Sequence, residues 1–217
     1  MLGMKVNEIS QSRAIAIAYW MATASTMAGF YFLAEATAGD DLHTWASQRA
    51  LLSLGIVLQL INDACVVFIG LQLYGLLRSA QRGVGRAVLV TRLMEAVILV
   101  TGKLGLLLLP RLAELKGEAA TTVIGTIVQD VHAWSFVVGM LPLGVGGTVL
   151  SFFFWKRHMI PRTLAVLGMV GYMLLFAKSV VALFFIELSD WLFLPVGVFE
   201  FVFPVWLWTR GLKRSSV

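Results

Sequence analysis

Long apolar stretches separated by short charged segments are the feature that most constrains the fold of this 217-residue chain. A helix needs about 20 apolar residues to cross the hydrocarbon core of a bilayer. The chain is 59% hydrophobic and 13% charged, whereas a soluble domain carries about 25% charged residues. We therefore predict an all-α, polytopic membrane helical bundle with six transmembrane helices, forming a single integral membrane domain over residues 1–217. The predicted spans are 14–34, 50–77, 87–109, 132–155, 163–186 and 191–209.

The fourth apolar stretch is too long for one simple span. We place its membrane part at 132–155 and treat Ala119–Asp130 as a helical lead-in at the interface. Pro142 and several glycines in this stretch predict either a bend or a close contact with another helix. These glycines are Gly139, Gly144, Gly146 and Gly147.

Loop charges predict the orientation, because lysine and arginine concentrate in cytoplasmic loops. One set of alternate loops, with both termini, holds eleven basic residues: Lys5, Arg13, Arg78, Arg82, Arg86, Lys156, Arg157, Arg162, Arg210, Lys213 and Arg214. The opposite loops hold three: Arg49, Arg111 and Lys116. We therefore predict a multi-pass protein of the cell (plasma) membrane with cytoplasmic N- and C-termini. The net charge of +5 is spread over these loops, so we predict the lipid bilayer as a partner and no nucleic acid.

Charged side chains inside the apolar stretches are the strongest pointers to a site. Each costs about 2.5–3.5 kcal/mol at the bilayer centre on insertion scales, and such residues usually face the bundle interior. Arg92 and Glu95 are three residues apart and share one helix face. The buried set comprises the cations Arg92, Lys103 and Lys178 and the anions Asp63, Glu95 and Glu200, with Asp130 and His132 at the outer rim.

Two of these carboxyl groups are candidates for proton handling, because Glu95 and Asp63 lie near mid-depth on neighbouring predicted helices. His132, two residues after Asp130, is either half of an acid–base pair or part of a polar rim. The candidate catalytic residues are therefore Glu95, Asp63 and His132.

The remaining polar residues are candidates for ligand binding. Arg92 has two open roles, as a partner of Glu95 or as an anchor for an anionic head group. Lys103 is expected to extend outward toward the interface as a counter-ion. The candidate ligand-binding residues are Arg92, Glu200, Asp130 and Lys178.

Several chemistries have no support in the sequence. The chain contains no HExxH, CxxC, Walker A or GxSxG motif. Two of the three histidines, His43 and His158, fall in predicted loops on opposite sides of the membrane. We therefore predict neither a metal site nor a cofactor.

Short motifs in a fixed order give the chain a likeness to a known family. They are Asp63 followed by Leu71-x-x-Tyr74, Arg92-x-x-Glu95-Ala96, Asp130-x-His132, Ile160-Pro161-Arg162, Gly168-x-x-Gly171-Tyr172, and Pro195 with Glu200, Trp206-Leu207 and Gly211. Over roughly residues 15–212, the chain resembles the bacterial six-helix integral membrane proteins grouped as domain of unknown function 4386. The resemblance implies a six-helix fold. It singles out Asp63, Arg92, Glu95, Asp130, His132 and Glu200, and it implies no activity.

Three hypotheses for function stay open. The leading one is a pocket that binds or processes a small amphipathic or lipid-like molecule, for example by acid-initiated isoprenoid rearrangement or lipid hydrolysis. The second is a proton- or ion-coupled transporter of small solutes, and a homo-oligomer stays open as its working form. The third is a membrane scaffold or complex subunit in which the buried charges form structural ion pairs. Whether the protein is an enzyme stays open.

Overall fold

The apolar stretches fold into helices, which confirms the all-α prediction. The computed structural model describes residues 2–38, 45, 47–112 and 118–212. Within these ranges the chain forms six long helices: α1 Leu2–Ala36, α2 Arg49–Leu77, α3 Arg82–Leu106, α4 Glu118–Arg157, α5 Arg162–Ala182 and α6 Leu194–Arg210. A helical turn, Leu109–Leu112, follows α3, and a 3-10 turn, Asp190–Phe193, precedes α6. Some predicted loop residues lie outside the described residues: Asp40, Asp41, His43, Glu114, Lys116, Lys213 and Arg214.

Proline and glycine mark several helix boundaries. Pro161 immediately precedes α5, and Pro195 lies in the first turn of α6. A backbone N–H at these positions has no acceptor within the helix, so proline costs no hydrogen bond there. At the other end of α6, Gly211 has a φ of 64°. Its amide donates to the carbonyl of Leu207 at 3.1 Å. This left-handed conformation suits glycine and ends the helix.

The fourth apolar stretch forms one continuous helix, since α4 runs over 40 residues with Pro142 inside it. The predicted lead-in at 119–130 is therefore the first part of the same helix. Of the two predicted alternatives, the structure shows close contact: an added Cβ at Gly144 would lie 2.7 Å from the Cβ of Phe176. Gly146 lies against Thr91 of α3 and Gly147 against the Tyr172 ring of α5. Glycine allows these helices to approach closely on both sides of α4.

The six helices form a ring in which each packs against its neighbours in sequence. Contacts between α1 and α6 close the ring. At this closure Gly211 lies beside Ser12, and the guanidinium carbon of Arg13 is 5.4 Å from the centroid of the Trp208 ring. The first half of α1, at Ser12 and Arg13, therefore lies beside the end of α6.

Large apolar side chains are exposed on the outer faces of the bundle, and a few charged side chains are buried within an otherwise apolar core. On α3, Arg92 and Glu95 are buried, whereas Leu93, Met94 and Val97 are exposed. Apolar outer faces together with charges confined to the interior are the pattern expected of helices surrounded by lipid.

By length and composition, five described helical segments are able to cross a membrane: Arg49–Leu77, Arg82–Leu112, Thr122–Arg157, Arg162–Ala182 and Asp190–Arg210. The apolar part of α1 mixes isoleucine and phenylalanine with alanine, serine and threonine, and α1 is not one of the five. The protein is thus a helical membrane protein, and the sixth span, the exact span limits and the orientation of the termini stay predictions.

Candidate ligand-binding site

Arg92 and Glu95 form a buried ion pair on α3. Because they are one helical turn apart, both side chains point to the same side of the helix. Nη1 of Arg92 donates to Oε2 of Glu95 at 3.0 Å, and the two side chains are only 6% and 4% exposed. A charge-assisted hydrogen bond of this kind is stronger in an apolar interior than in water.

Two other helices place polar groups beside Arg92, and a third joins them through Glu200. From α1, the hydroxyl of Tyr19 accepts a hydrogen bond from Nη2 of Arg92 at 3.2 Å. From α6, Oε1 of Glu200 lies 3.9 Å from the same nitrogen. Tyr172 of α5 donates its hydroxyl to Oε1 of Glu200 at 2.8 Å. Arg92 and its neighbours therefore connect four helices around the bundle interior.

Aromatic rings shield this polar group on one side. Phe199 and Phe203 of α6 stack with centroids 5.1 Å apart, and Tyr19 meets Phe203 edge-on at 5.7 Å. Tyr172 packs against Phe199 at 5.6 Å. Each tyrosine thus places its ring in the apolar cluster and its hydroxyl among the charges, as buried tyrosines usually do.

A second buried ion pair joins α2 and α3. Nζ of Lys103 lies 2.9 and 3.1 Å from the two carboxylate oxygens of Asp63, and Asn62 donates to the same carboxylate at 3.3 Å. Lys103 is only 3% exposed, so the expectation that it extends outward is wrong. A carboxylate within reach on the facing helix makes burial of the ammonium tolerable, because attraction between the paired charges offsets part of the cost of desolvation.

The two ion pairs border a cavity of about 420 Å³. Its lining is mostly apolar, with few polar side chains: Thr26, Gln59, Asn62, Glu95, Lys103 and Glu200. A smaller cavity of about 160 Å³ shares several of these lining residues and extends to Arg92 and Tyr19. Small-molecule sites typically occupy about 300–1,000 Å³ and combine an apolar wall with a few polar groups.

The cavity lies beside a gap between α1 and α6. Aromatic contacts join the middle of α1 to the second half of α6, at Tyr19–Phe203 and Trp20–Trp208. Farther along, Met27 of α1 and Gly197 of α6 line the cavity and are exposed. The side chain of Glu200, which lines the same cavity, is 29% exposed. The cavity is therefore open to the side of the bundle beside Met27 and Gly197.

The remaining predicted site residues lie apart from the cavity lining. Asp130 is exposed on α4, and His132 is half-buried. Within the described part of the chain, neither ring nitrogen of His132 has a hydrogen-bond partner, so the two residues do not form a hydrogen-bonded pair there. Lys178 pairs with Asp190, donates to the Leu188 carbonyl at 2.9 Å and lies 4.3 Å from the Phe193 ring centroid.

Sequence reasoning missed Tyr19 and Tyr172, because it followed charged residues. A tyrosine in an otherwise apolar span is the available signal, since its hydroxyl needs a partner when buried. Among the described residues, no group of three or more His, Cys, Asp or Glu side chains is placed to hold a metal ion.

Comparison with known proteins identifies one match. A family model described as Domain of unknown function (DUF4386) matches residues 14–211. No curated protein and no solved structure matches the chain. The matched range covers nearly all of the ring and both buried ion pairs.

Proposed function

Because the chain belongs to the DUF4386 family, whose description states no activity, we propose a function from the site: the protein binds a small amphipathic or lipid-like molecule in the cavity between its helices. The cavity itself carries this proposal. Its largely apolar wall suits a hydrocarbon portion, and its few polar groups suit a head group. The gap beside Met27 and Gly197 supports entry of such a molecule from the surrounding lipid.

The proposal includes six membrane spans with both termini in the cytoplasm. Ring closure between α1 and α6 supports α1 as the sixth span, because it packs alongside helices able to cross a membrane. The basic residues that flank the start of α1 and the ends of α2 and α4 support the cytoplasmic side. In this arrangement Arg92 and Glu95 lie at the inner end of the cavity.

A cavity-filling variant, Gly197→Phe, tests the proposal. Gly197 lines the cavity, and an added Cβ there would meet no atom within 4 Å, so a larger side chain fits at the cavity wall without moving the backbone. We expect wild-type protein purified in mild detergent to retain a defined lipid-like molecule, measured by mass spectrometry of the extract. Gly197→Phe should retain much less of it.

Gly83→Phe is the matched control, because an added Cβ at Gly83 also meets no atom within 4 Å and this residue lies away from the cavity. Both variants should keep the thermal unfolding midpoint of the wild type. Equal extracts from all three proteins would contradict binding in the cavity and favour purely structural ion pairs.

A second candidate function is proton- or ion-coupled transport. The observation that favours it is the chain of polar contacts from Tyr19 through Arg92 to Glu95 and Glu200. Arg92, Glu95 and Glu200 lie in helical segments able to cross a membrane. Coupled transporters use buried carboxyl groups as proton carriers.

If this rival function is right, solute-driven proton flux into proteoliposomes should fall in Glu95→Gln and in Asp63→Asn. The exposed Glu187→Gln should transport like the wild type. Unchanged flux in both buried variants would rule out the hypothesis that transport is coupled to these carboxyl groups.

A further inference from the structure

The charges around the cavity are not balanced. The described residues that line it or pair with its lining include two cations, Arg92 and Lys103, against three carboxyl groups, Asp63, Glu95 and Glu200. Lys103 is fully engaged by Asp63 at 2.9 and 3.1 Å. The close partner of Arg92 is Glu95. One carboxyl group therefore lacks a full counter-charge.

Glu200 is that carboxyl group. Its Oε1 lies 3.9 Å from Arg92, well beyond the 3.0 Å that separates Arg92 from Glu95. The same oxygen accepts from Tyr172, and within the described part of the chain Oε2 has no hydrogen-bond partner. Glu200 is also the most exposed of the three carboxyl groups and lines the cavity on the side of the α1–α6 gap.

Gln59 of α2 gives a second, independent indication of an occupant. It is only 3% exposed and lines the same cavity. Within the described residues its side-chain nitrogen, Nε2, has no hydrogen-bond partner. Buried donors are almost always satisfied, so a donor left free at a cavity wall points to an acceptor supplied by the occupant.

From these observations we infer that the occupant is an amphipathic amine with a nearby oxygen acceptor, its ammonium group paired with Glu200 and its oxygen accepting from Gln59. This inference rests on the proposed ligand-binding function. Anionic head groups fit poorly, because the wall already carries an excess carboxyl group and Arg92 is engaged. The apolar tail would lie along the mostly apolar wall of the cavity.

The test compares head groups on one alkyl chain. Purified full-length protein in amphipol is titrated with dodecylamine, dodecanol, dodecanoate, an amino alcohol with the same chain, and butylamine, while the midpoint of thermal unfolding is followed by tryptophan fluorescence. We expect the amino alcohol to raise the midpoint most and dodecylamine next. Butylamine, which has the amine without the tail, should leave the midpoint unchanged.

Two variants test which side chain contacts which part of the ligand. Glu200→Gln should weaken binding of dodecylamine roughly 10- to 100-fold, since it removes a charge-assisted hydrogen bond. Gln59→Leu should remove only the advantage of the amino alcohol over dodecylamine. Glu187→Gln, an exposed substitution of the same kind, should behave like the wild type.

The outcomes separate this inference from the proposed function. Equal shifts by dodecylamine, dodecanol and dodecanoate that disappear in Gly197→Phe would overturn the amine assignment and leave cavity binding standing. Butylamine acting as strongly as dodecylamine would overturn the amphipathic occupant. Shifts that persist unchanged in Gly197→Phe would overturn both.

Discussion

Replacing Arg92 with methionine is expected to destabilise the protein by about 3–5 kcal/mol. Methionine keeps an unbranched apolar stem like that of arginine. It removes the charge that lies 3.0 Å from Glu95 and 3.9 Å from Glu200. It also removes the donor to the Tyr19 hydroxyl. The buried carboxylates then lose their common counter-charge, which costs more than the ion pair contributes. Unfolding in dodecyl sulfate, followed by tryptophan fluorescence, measures the loss.

Arg82→Met is the control for this substitution, because Arg82 begins the same helix and is exposed. It should change stability by less than about 0.5 kcal/mol. Adding Glu95→Gln to Arg92→Met should restore part of the lost stability, since a neutral amide needs no counter-charge. Equal losses in Arg82→Met and Arg92→Met would show that the Arg92 network does not hold the helices together.

Replacing Gly171 with alanine has the second large expected effect. An added Cβ would lie 2.6 Å from the backbone nitrogen of Val196 and 2.8 Å from its Cα. Backbone atoms cannot rotate away, so α6 must shift, and overpacking of this kind costs about 1–3 kcal/mol. Because α6 carries Glu200, the shift should also weaken the 2.8 Å hydrogen bond from Tyr172. We therefore expect both lower stability and less retained ligand.

Gly75→Ala is the control, because it makes the same glycine-to-alanine substitution without a steric clash. An added Cβ at Gly75 has its nearest atom, Nε2 of Gln11, at 3.6 Å, and alanine favours helix by up to about 1 kcal/mol over glycine. This variant should be as stable as the wild type or slightly more so, with full ligand retention. A Gly171→Ala protein that matches it in both measurements would contradict the close packing of α5 on α6.

Local spacing made part of the site predictable. The helices follow from the length of the apolar stretches, and the Arg92–Glu95 pair follows from a separation of three residues on one helix. The close contacts of α4 were also foreseeable as one of two alternatives, because glycines such as Gly144 and Gly147 permit helices to approach. In each case the relevant geometry is set within one helix.

The sequence pattern could not predict which side chains meet between helices. The Lys103–Asp63 pair depends on how far α2 and α3 slide along each other, which packing decides; for example, an added Cβ at Gly70 would lie 3.0 Å from the Cβ of Arg92. Lys178 pairs with Asp190 of the 3-10 turn that precedes α6. This partner lies close in the chain and holds the Lys178 side chain apart from the cavity lining. The roles of Tyr19 and Glu200 required the ring to close between α1 and α6.

The most direct test of the central claim is an experimental structure in lipid nanodiscs, determined by electron cryomicroscopy with a bound antibody fragment. We expect elongated density to enter between Met27 and Gly197 and to end beside Glu200 and Gln59 in the wild type. The same density should be absent from Gly197→Phe. A wild-type structure in which side chains fill this space, with Glu200 closed onto Arg92 and no density beside Gln59, would contradict a ligand-binding cavity.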